Sequence, residues 1–194
     1  MNVLVVYCHP DPESFIAAAR CVVVDTLKRG GHEVRVEDLY ADGFQPAMSA
    51  DERLTHREPG VAAELQHYAD DLRWCEAIVL VYPTWWSGLP AMLKGWVDRV
   101  WARGIAWDLP AGASTVRGRL RNVRRLAIVT SHGSSRWVNW LEGQCGRFSV
   151  MRGLRVLCHP LTRTSFLAIY AMDSNGHDDR RRFLDHVERR FISW

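Results

Sequence analysis

Short unbroken apolar runs alternate with segments of helical periodicity along the chain, and that alternation predicts an α/β fold. The first run, VLVVY at 3–7, lacks polar alternation and reads as a parallel strand covered on both faces. A helix follows, in which Phe15, Ala18, Ala19, Val22, Thr26 and Leu27 recur at three- and four-residue steps. Ser14 is placed to cap its start and Gly30-Gly31 to end it. Residues 33–38 alternate apolar and polar as a second strand. The stretch 40–59, with turn signals at Asp42-Gly43 and Pro46, reads as irregular. A helix is predicted over 60–74 and a buried strand over 77–82. Pro90 then sits in the first turn of a helix whose apolar face carries Leu93, Trp96, Val97, Val100 and Trp101. A fourth strand spans 125–130, a helix 138–151 and a fifth strand 166–170. The closing helix runs from His177 with Phe183, Leu184, Val187 and Phe191 inward. Five strands with intervening helices predict a doubly wound five-stranded parallel sheet with helices on both faces.

Composition narrows this picture without redirecting it. A chain of 194 residues with 47% apolar content and no internal repeat suits one domain with a full core over 1–194. Nothing near the roughly 20 consecutive apolar residues of a membrane span occurs, and the N-terminus lacks the pattern of an export signal. The five cysteines, Cys8, Cys21, Cys75, Cys145 and Cys158, are scattered without a CxxC pair. They read as core fillers, with no disulfide framework or metal site, and a cytoplasmic location is expected. The net charge of +3 is small. The densest basic piece, RGRLRNVRR at 117–125, has no interleaved aromatics and reads as a solvated loop, so no nucleic-acid partner is expected.

In a doubly wound sheet, ligands bind at the carboxyl ends of the strands near the switch point. Three turns meet there: CHPDPESF, PTWWSGLP and SHGSSRW. The first contains no glycine, so it is neither a dinucleotide fingerprint nor a P-loop. It offers the His9 imidazole and the Ser14 hydroxyl ahead of free helix amides, an arrangement suited to a phosphate, although a serine there also serves as a cap alone. Trp85 and Trp86 present flat faces that either stack on a ligand or roof the sheet. The loop at 131–135 offers small residues and amides for the polar edge of a planar heterocycle.

HPDPESF, YPTWWSGLPAMLKGWVDRVW, GIAW and TSHGSS, in this order, resemble the flavodoxin-like NAD(P)H dehydrogenase (quinone) family over nearly the whole chain. The stretch P-x-W-W-x-x-x-P-A-x-L-K-G-W-x-D-R-V is highly specific. The resemblance implies a flavin, FAD or alternatively FMN, with its phosphates held by His9, Ser14, Phe15 and Ile16. It lays Pro83, Thr84, Trp85, Trp86 and Ser87 along the isoalloxazine, and it sets Ser131, His132, Gly133 and Ser134 at the pyrimidine edge. It also implies that the Gly104 to Trp107 patch, with Ile105, Ala106 and Trp107, forms a substrate wall contributed across a homodimer. The implied activity is ping-pong transfer of hydride from NAD(P)H through flavin N5 to a quinone-like acceptor, with positioning carrying most of the catalysis. Some members are instead regulatory subunits of potassium-efflux transporters, which leaves a peripheral membrane-protein partner as the alternative.

Two departures from the family pattern stand out. Ser131-His132-Gly133 occupies the place of a T-G-G turn, which makes His132 the candidate catalytic residue, able to stabilise charge at N1 and O2 of the reduced ring. RWVNWLEGQCG lacks the tyrosine and histidine that some family quinone reductases place beyond that turn.

Overall fold

A parallel strand needs apolar residues on both faces, and β1 (Asn2–Tyr7) supplies them alternately. Leu4 and Val6 point into one core, Val3, Val5 and Tyr7 into the other. The computed structural model describes all residues, 1–194. After β1 come α1 (Phe15–Arg29), β2 (Glu33–Asp38), α2 (Ala50–Thr55), α3 (Gln66–Trp74), β3 (Ala77–Pro83) and α4 (Ala91–Val100). A two-residue hairpin, β4 (Trp107–Asp108) with β5 (Arg117–Gly118), precedes β6 (Arg125–Ser131), α5 (Arg136–Leu141), α6 (Cys145–Phe148), β7 (Arg163–Ile169) and α7 (His177–Ile192). The five long strands are parallel in the order β2-β1-β3-β6-β7, the doubly wound arrangement expected. Its switch point lies between β1 and β3. No helix is long and apolar enough to cross a membrane.

Helices α1 and α7 pack together on one face of the sheet, with Ile16, Val23 and Leu27 of α1 and Phe183, Val187 and Phe191 of α7 buried. The other face is larger and is covered by α3, α4 and the segment after α5; its core includes Tyr68, Leu72, Leu93, Trp96 and Trp101. Two details of α4 bear on the site. Pro90 caps this helix from outside rather than occupying its first turn. Gly95, in mid-helix, lets the backbone of Pro46 lie so close that an added Cβ would stand 2.3 Å from the Pro46 carbonyl oxygen. Arg99, one turn on, is buried and holds the same loop. Its Nε donates to Glu52 at 2.8 Å, Nη2 to Glu64 at 3.2 Å, and Nη1 to the Gln45 carbonyl.

Several expectations are corrected. The irregular 40–59 stretch contains α2, closed by a capping box in which Ser49 Oγ accepts from the Glu52 amide and Glu52 accepts from Ser49. The predicted 60–74 helix begins only with a short 3-10 turn, Ala63–Leu65. The 138–151 helix is not one helix, because Gly143 and Gln144 take φ of 81° and 49° and break it. Beyond them run α6, a π-helical turn Ser149–Leu154 and a 3-10 turn Arg155–Leu157. Strand β7 starts three residues earlier than expected, at Arg163. The basic 117–125 stretch is anchored by buried Leu120 and Val123. Cys8, Cys75 and Cys158 are buried fillers, whereas Cys21 and Cys145 are exposed. Ala18 faces solvent, its place on the buried stripe of α1 taken by Ala17. Trp96 and Trp101 are covered within the chain itself, so they present no surplus apolar surface for a partner.

Candidate functional site

The parallel ladder carries the chain out of β1, β3 and β6 at the same sheet edge, where the three turns converge. The Cys8 amide donates to Val81 at 3.0 Å and the Thr84 amide to Ser131 at 2.8 Å, which ties the exits of these strands together. Pro83 and Ser131, paired in register, are buried beneath the turns.

In the first turn, Ser14 Oγ accepts from the Ala17 amide at 3.2 Å and so acts as the helix cap. The Phe15 and Ile16 amides donate to no protein acceptor. Their side chains are turned away: Ile16 is buried in the core, and Phe15 packs 5.9 Å from Phe183. An anion here meets their backbone amides only, which corrects any side-chain role for these two residues. The Asp11 amide and the Asp11 carbonyl oxygen each lie 3.0 Å from His9 Nδ1, which leaves Nε2 without a partner in the protein. His9 reaches the second turn, its ring 6.3 Å from that of Trp85.

The second turn is strained in an informative way. Trp86 and Ser87 both take left-handed backbone, φ 48° and 57°, and Trp86 stands fully in solvent at 102% relative exposure. A roofing role for Trp86 is therefore ruled out, while Trp85 is 41% exposed. Ser87 Oγ donates to the Glu142 carboxylate, and the Gly146 amide donates to Ser87 O at 3.0 Å, so the turn is strapped to the segment after α5. With its hydroxyl committed, Ser87 offers a ligand its amide.

Thr84, Trp85, Trp86 and Ser87 on one side and His132, Gly133, Ser134 and Glu142 on the other enclose a cleft of about 630 Å³. The amides of Trp86, Ser87, Gly133 and Ser134 make no hydrogen bond within the protein. His132 lines this cleft but is only 5% exposed; its ring stacks on Tyr170 and reaches Thr84 Oγ1 at 3.5 Å. Burial depresses its pKa to about 4, against a weaker upward pull from Glu142, so the imidazole is neutral at pH 7. The expectation that its side chain meets developing negative charge on a ligand does not suit a ring so covered. Residues 104–107 lie outside the cleft's lining. Ile105 and Ala106 are buried and cannot touch a substrate, whereas Trp107 is half-buried beside His56, at 5.8 Å.

Sequence reasoning missed Glu142 and Gly146 as the strap on the second turn, and the close contact of Gly146 with Gly88, 3.3 Å from an added Cβ, leaves no local signature. The unpaired amides at three turns, a free imidazole nitrogen and one fully exposed indole fit a planar, polar-edged ring carrying a phosphate, which is the shape of a flavin nucleotide.

A family model described as a flavodoxin-like fold matches residues 1–186. The human ribosyldihydronicotinamide dehydrogenase (quinone) is 30% identical over 152 residues, covering 69% of this chain and 64% of that protein. An NAD(P)H oxidoreductase of Haemophilus influenzae is 33% identical over 131 residues, covering 67% and 64%. The matched region thus spans less than two thirds of the length of these relatives. Among solved structures, a Streptococcus mutans protein superposes with a TM-score of 0.84 at 25% identity over 100% of both chains. The NAD(P)H:quinone oxidoreductase of Methanothermobacter marburgensis shares the fold with a TM-score of 0.84 at 24% identity over 99% and 98%. With a match that runs almost from end to end, the chain belongs to the flavodoxin-like NAD(P)H dehydrogenase (quinone) family.

Proposed function

We propose that residues 1–194 form one flavin-binding domain that oxidises NAD(P)H and passes the electrons to a quinone-like acceptor by a ping-pong sequence. The observation that carries this reading is the cleft at the carboxyl ends of β3 and β6, bounded by Trp85 and Trp86 and lined by residues whose amides are unpaired. The reductases named among the relatives support it.

His9 Nε2 and the Phe15 and Ile16 amides would hold the phosphate, with the positive end of α1 behind them. Trp85 and Trp86 supply the stacking faces, and the Gly133 and Ser134 amides supply donors for a polar ring edge. His132 acts as a positioning residue: its ring fills the floor under Thr84, whose hydroxyl is also 2.9 Å from Thr130 Oγ1. When bound, the flavin supplies the two-electron chemistry between nicotinamide and acceptor. We take FAD as the cofactor, with FMN the competing outcome.

The working unit in this proposal is a homodimer in which Trp107 of one chain faces the cleft of the other. Support comes from the rim, where Trp86 and Leu141, each preceding in sequence a partner of the Ser87–Glu142 hydrogen bond, are both exposed.

One preparation tests the whole reading. The purified protein, or the protein reconstituted with FAD and then FMN, should show flavin absorbance, and the mass of the released cofactor distinguishes the two. Steady-state oxidation of NAD(P)H by a benzoquinone should give parallel double-reciprocal plots. A colourless protein after both reconstitutions removes the central claim. Full activity at a light-scattering mass near 22.2 kDa removes the shared site.

A further inference from the structure

Behind the His132–Tyr170 pair, at the free edge of β7, lies a second cavity of about 720 Å³ that shares no lining residue with the cleft. Its walls are aromatic. Trp137 and Trp140 stack on one another, centroids 4.9 Å apart and planes 19° from parallel, and remain 63% and 57% exposed. Phe166 and Tyr170 of the β7 segment form the floor. Indoles left open beside a cavity, with no core to enter, offer a ring-sized stacking face.

The charge lining this cavity is of one sign. Arg136 makes no ion pair, and Arg147 donates only to the Gln144 carboxamide, at 2.7 Å, while its guanidinium lies 4.9 Å above the Phe166 ring. No aspartate or glutamate lines the pocket, and His186 adds a third basic group. The Tyr170 hydroxyl has no acceptor in the protein. Burial raises its pKa, and Arg136 and Arg147 oppose that rise; all three side chains line the same cavity. Two forked donors and a hydroxyl therefore share one aromatic-walled space that contains no counter-ion.

We propose that this edge pocket binds a planar aromatic acid, its ring against the Trp137–Trp140 face and its acidic group on Arg136, Arg147 and the Tyr170 hydroxyl. A cationic ligand would meet only like charge, and a neutral aromatic would leave both guanidiniums without a counter-ion. The pocket is independent of the reading of the cleft, because it shares none of its residues.

The probe is 2-naphthoate, titrated by calorimetry into the full chain with excess FAD present, and the comparison is the isosteric, uncharged 2-naphthamide. One-to-one binding of the acid is expected, with the amide about tenfold weaker or worse. Arg136→Gln and Arg147→Gln should each weaken the acid about tenfold and change the amide little; both sites are exposed, so near-ultraviolet circular dichroism should show an unchanged fold. Trp86→Ala, in the cleft, should leave 2-naphthoate affinity unchanged. No binding of the acid, equal affinity for acid and amide, insensitivity to both arginine substitutions, or an equal loss in Trp86→Ala would each overturn the proposal.

Discussion

His132 and Tyr170 lie ring on ring, centroids 4.7 Å apart and planes 10° from parallel, and this pair is the wall between the cleft and the edge pocket. The stack gives the His132 ring a packing partner at the end of β7 and holds it under the third turn. It also carries a pH signature. Burial brings the His132 pKa to about 4, well below the 6.5 of an unfolded histidine. Between those values the unfolded chain binds the proton and the native chain does not, so stability falls as pH drops from 6.5 toward 4. At about 1.4 kcal/mol per pH unit the full effect is roughly 3 kcal/mol. In urea unfolding from pH 7.5 to 4, the wild type should lose about that much more stability than His132→Asn. Identical pH slopes for the two proteins would show a ring that titrates in contact with water.

Glu37 should give a stability effect of opposite pH sense. It lies in β2 with both carboxylate oxygens buried and unpaired. Burial raises its pKa well above the ordinary carboxylate value, Asp71 adds to the rise, and Trp96 opposes it. A raised acid pKa means that the native state holds a proton the unfolded state releases, so this site lowers stability as pH climbs above about 4.5. Glu37→Gln should accordingly raise the Tm at pH 8 and lose its advantage near pH 4. A Tm difference that does not change with pH would refute the buried, protonated carboxyl.

Much of this was legible from pattern alone, and the failures share a cause. The unbroken apolar runs at β1, β3 and β6 mark buried parallel strands because nothing else tolerates such runs in so few residues. The three converging turns follow from strand direction. Periodicity puts Trp96 and Trp101 on the apolar face of α4 but does not show what covers them, which is the segment after α5 and the loop at Pro46. In that segment a single helix over 138–151 is the expectation, and only the backbone at Gly143 and Gln144 shows the break. The capping box at Ser49 and Glu52, by contrast, was present in the residue types and needed only to be recognised. The orientations of Phe15, Ile16 and His132 depend on contacts distant in sequence, with Phe183 and Tyr170 among them, and no local pattern encodes those.

Gly95→Ala should destabilise the protein, although alanine is the better helix former by about 1 kcal/mol. The new Cβ would sit 2.3 Å from Pro46 O and 2.5 Å from Pro46 Cα, so the 45–49 loop must move off α4 and carry the Gln45–Arg99 contact with it. Overpacking of this kind costs about 1–3 kcal/mol. Chemical denaturation gives the answer directly, and a stabilised Ala variant would mean that the loop does not pack as described.

Trp86 and Trp96 make the sharpest contrast available, because the same residue type stands at 102% and 0% exposure in one chain. Trp96→Ala removes a core side chain that packs edge-on against Trp101 at 6.2 Å, and it should cost about 3–5 kcal/mol of stability. Trp86→Ala removes no buried area, and it relieves nothing, since alanine must still adopt φ 48°. Its unfolding free energy should stay within about 0.5 kcal/mol of wild type. If this indole is held out for a flat ligand, its loss forfeits an aromatic contact of about 0.5–1.5 kcal/mol beyond area burial, which weakens flavin binding by at least severalfold. The two measurements, denaturation of the apo-protein and flavin titration followed by fluorescence quenching, separate the roles. A Trp86→Ala protein with unchanged flavin affinity would detach the exposed indole from the cofactor and leave the amides of the cleft as the remaining support for that reading.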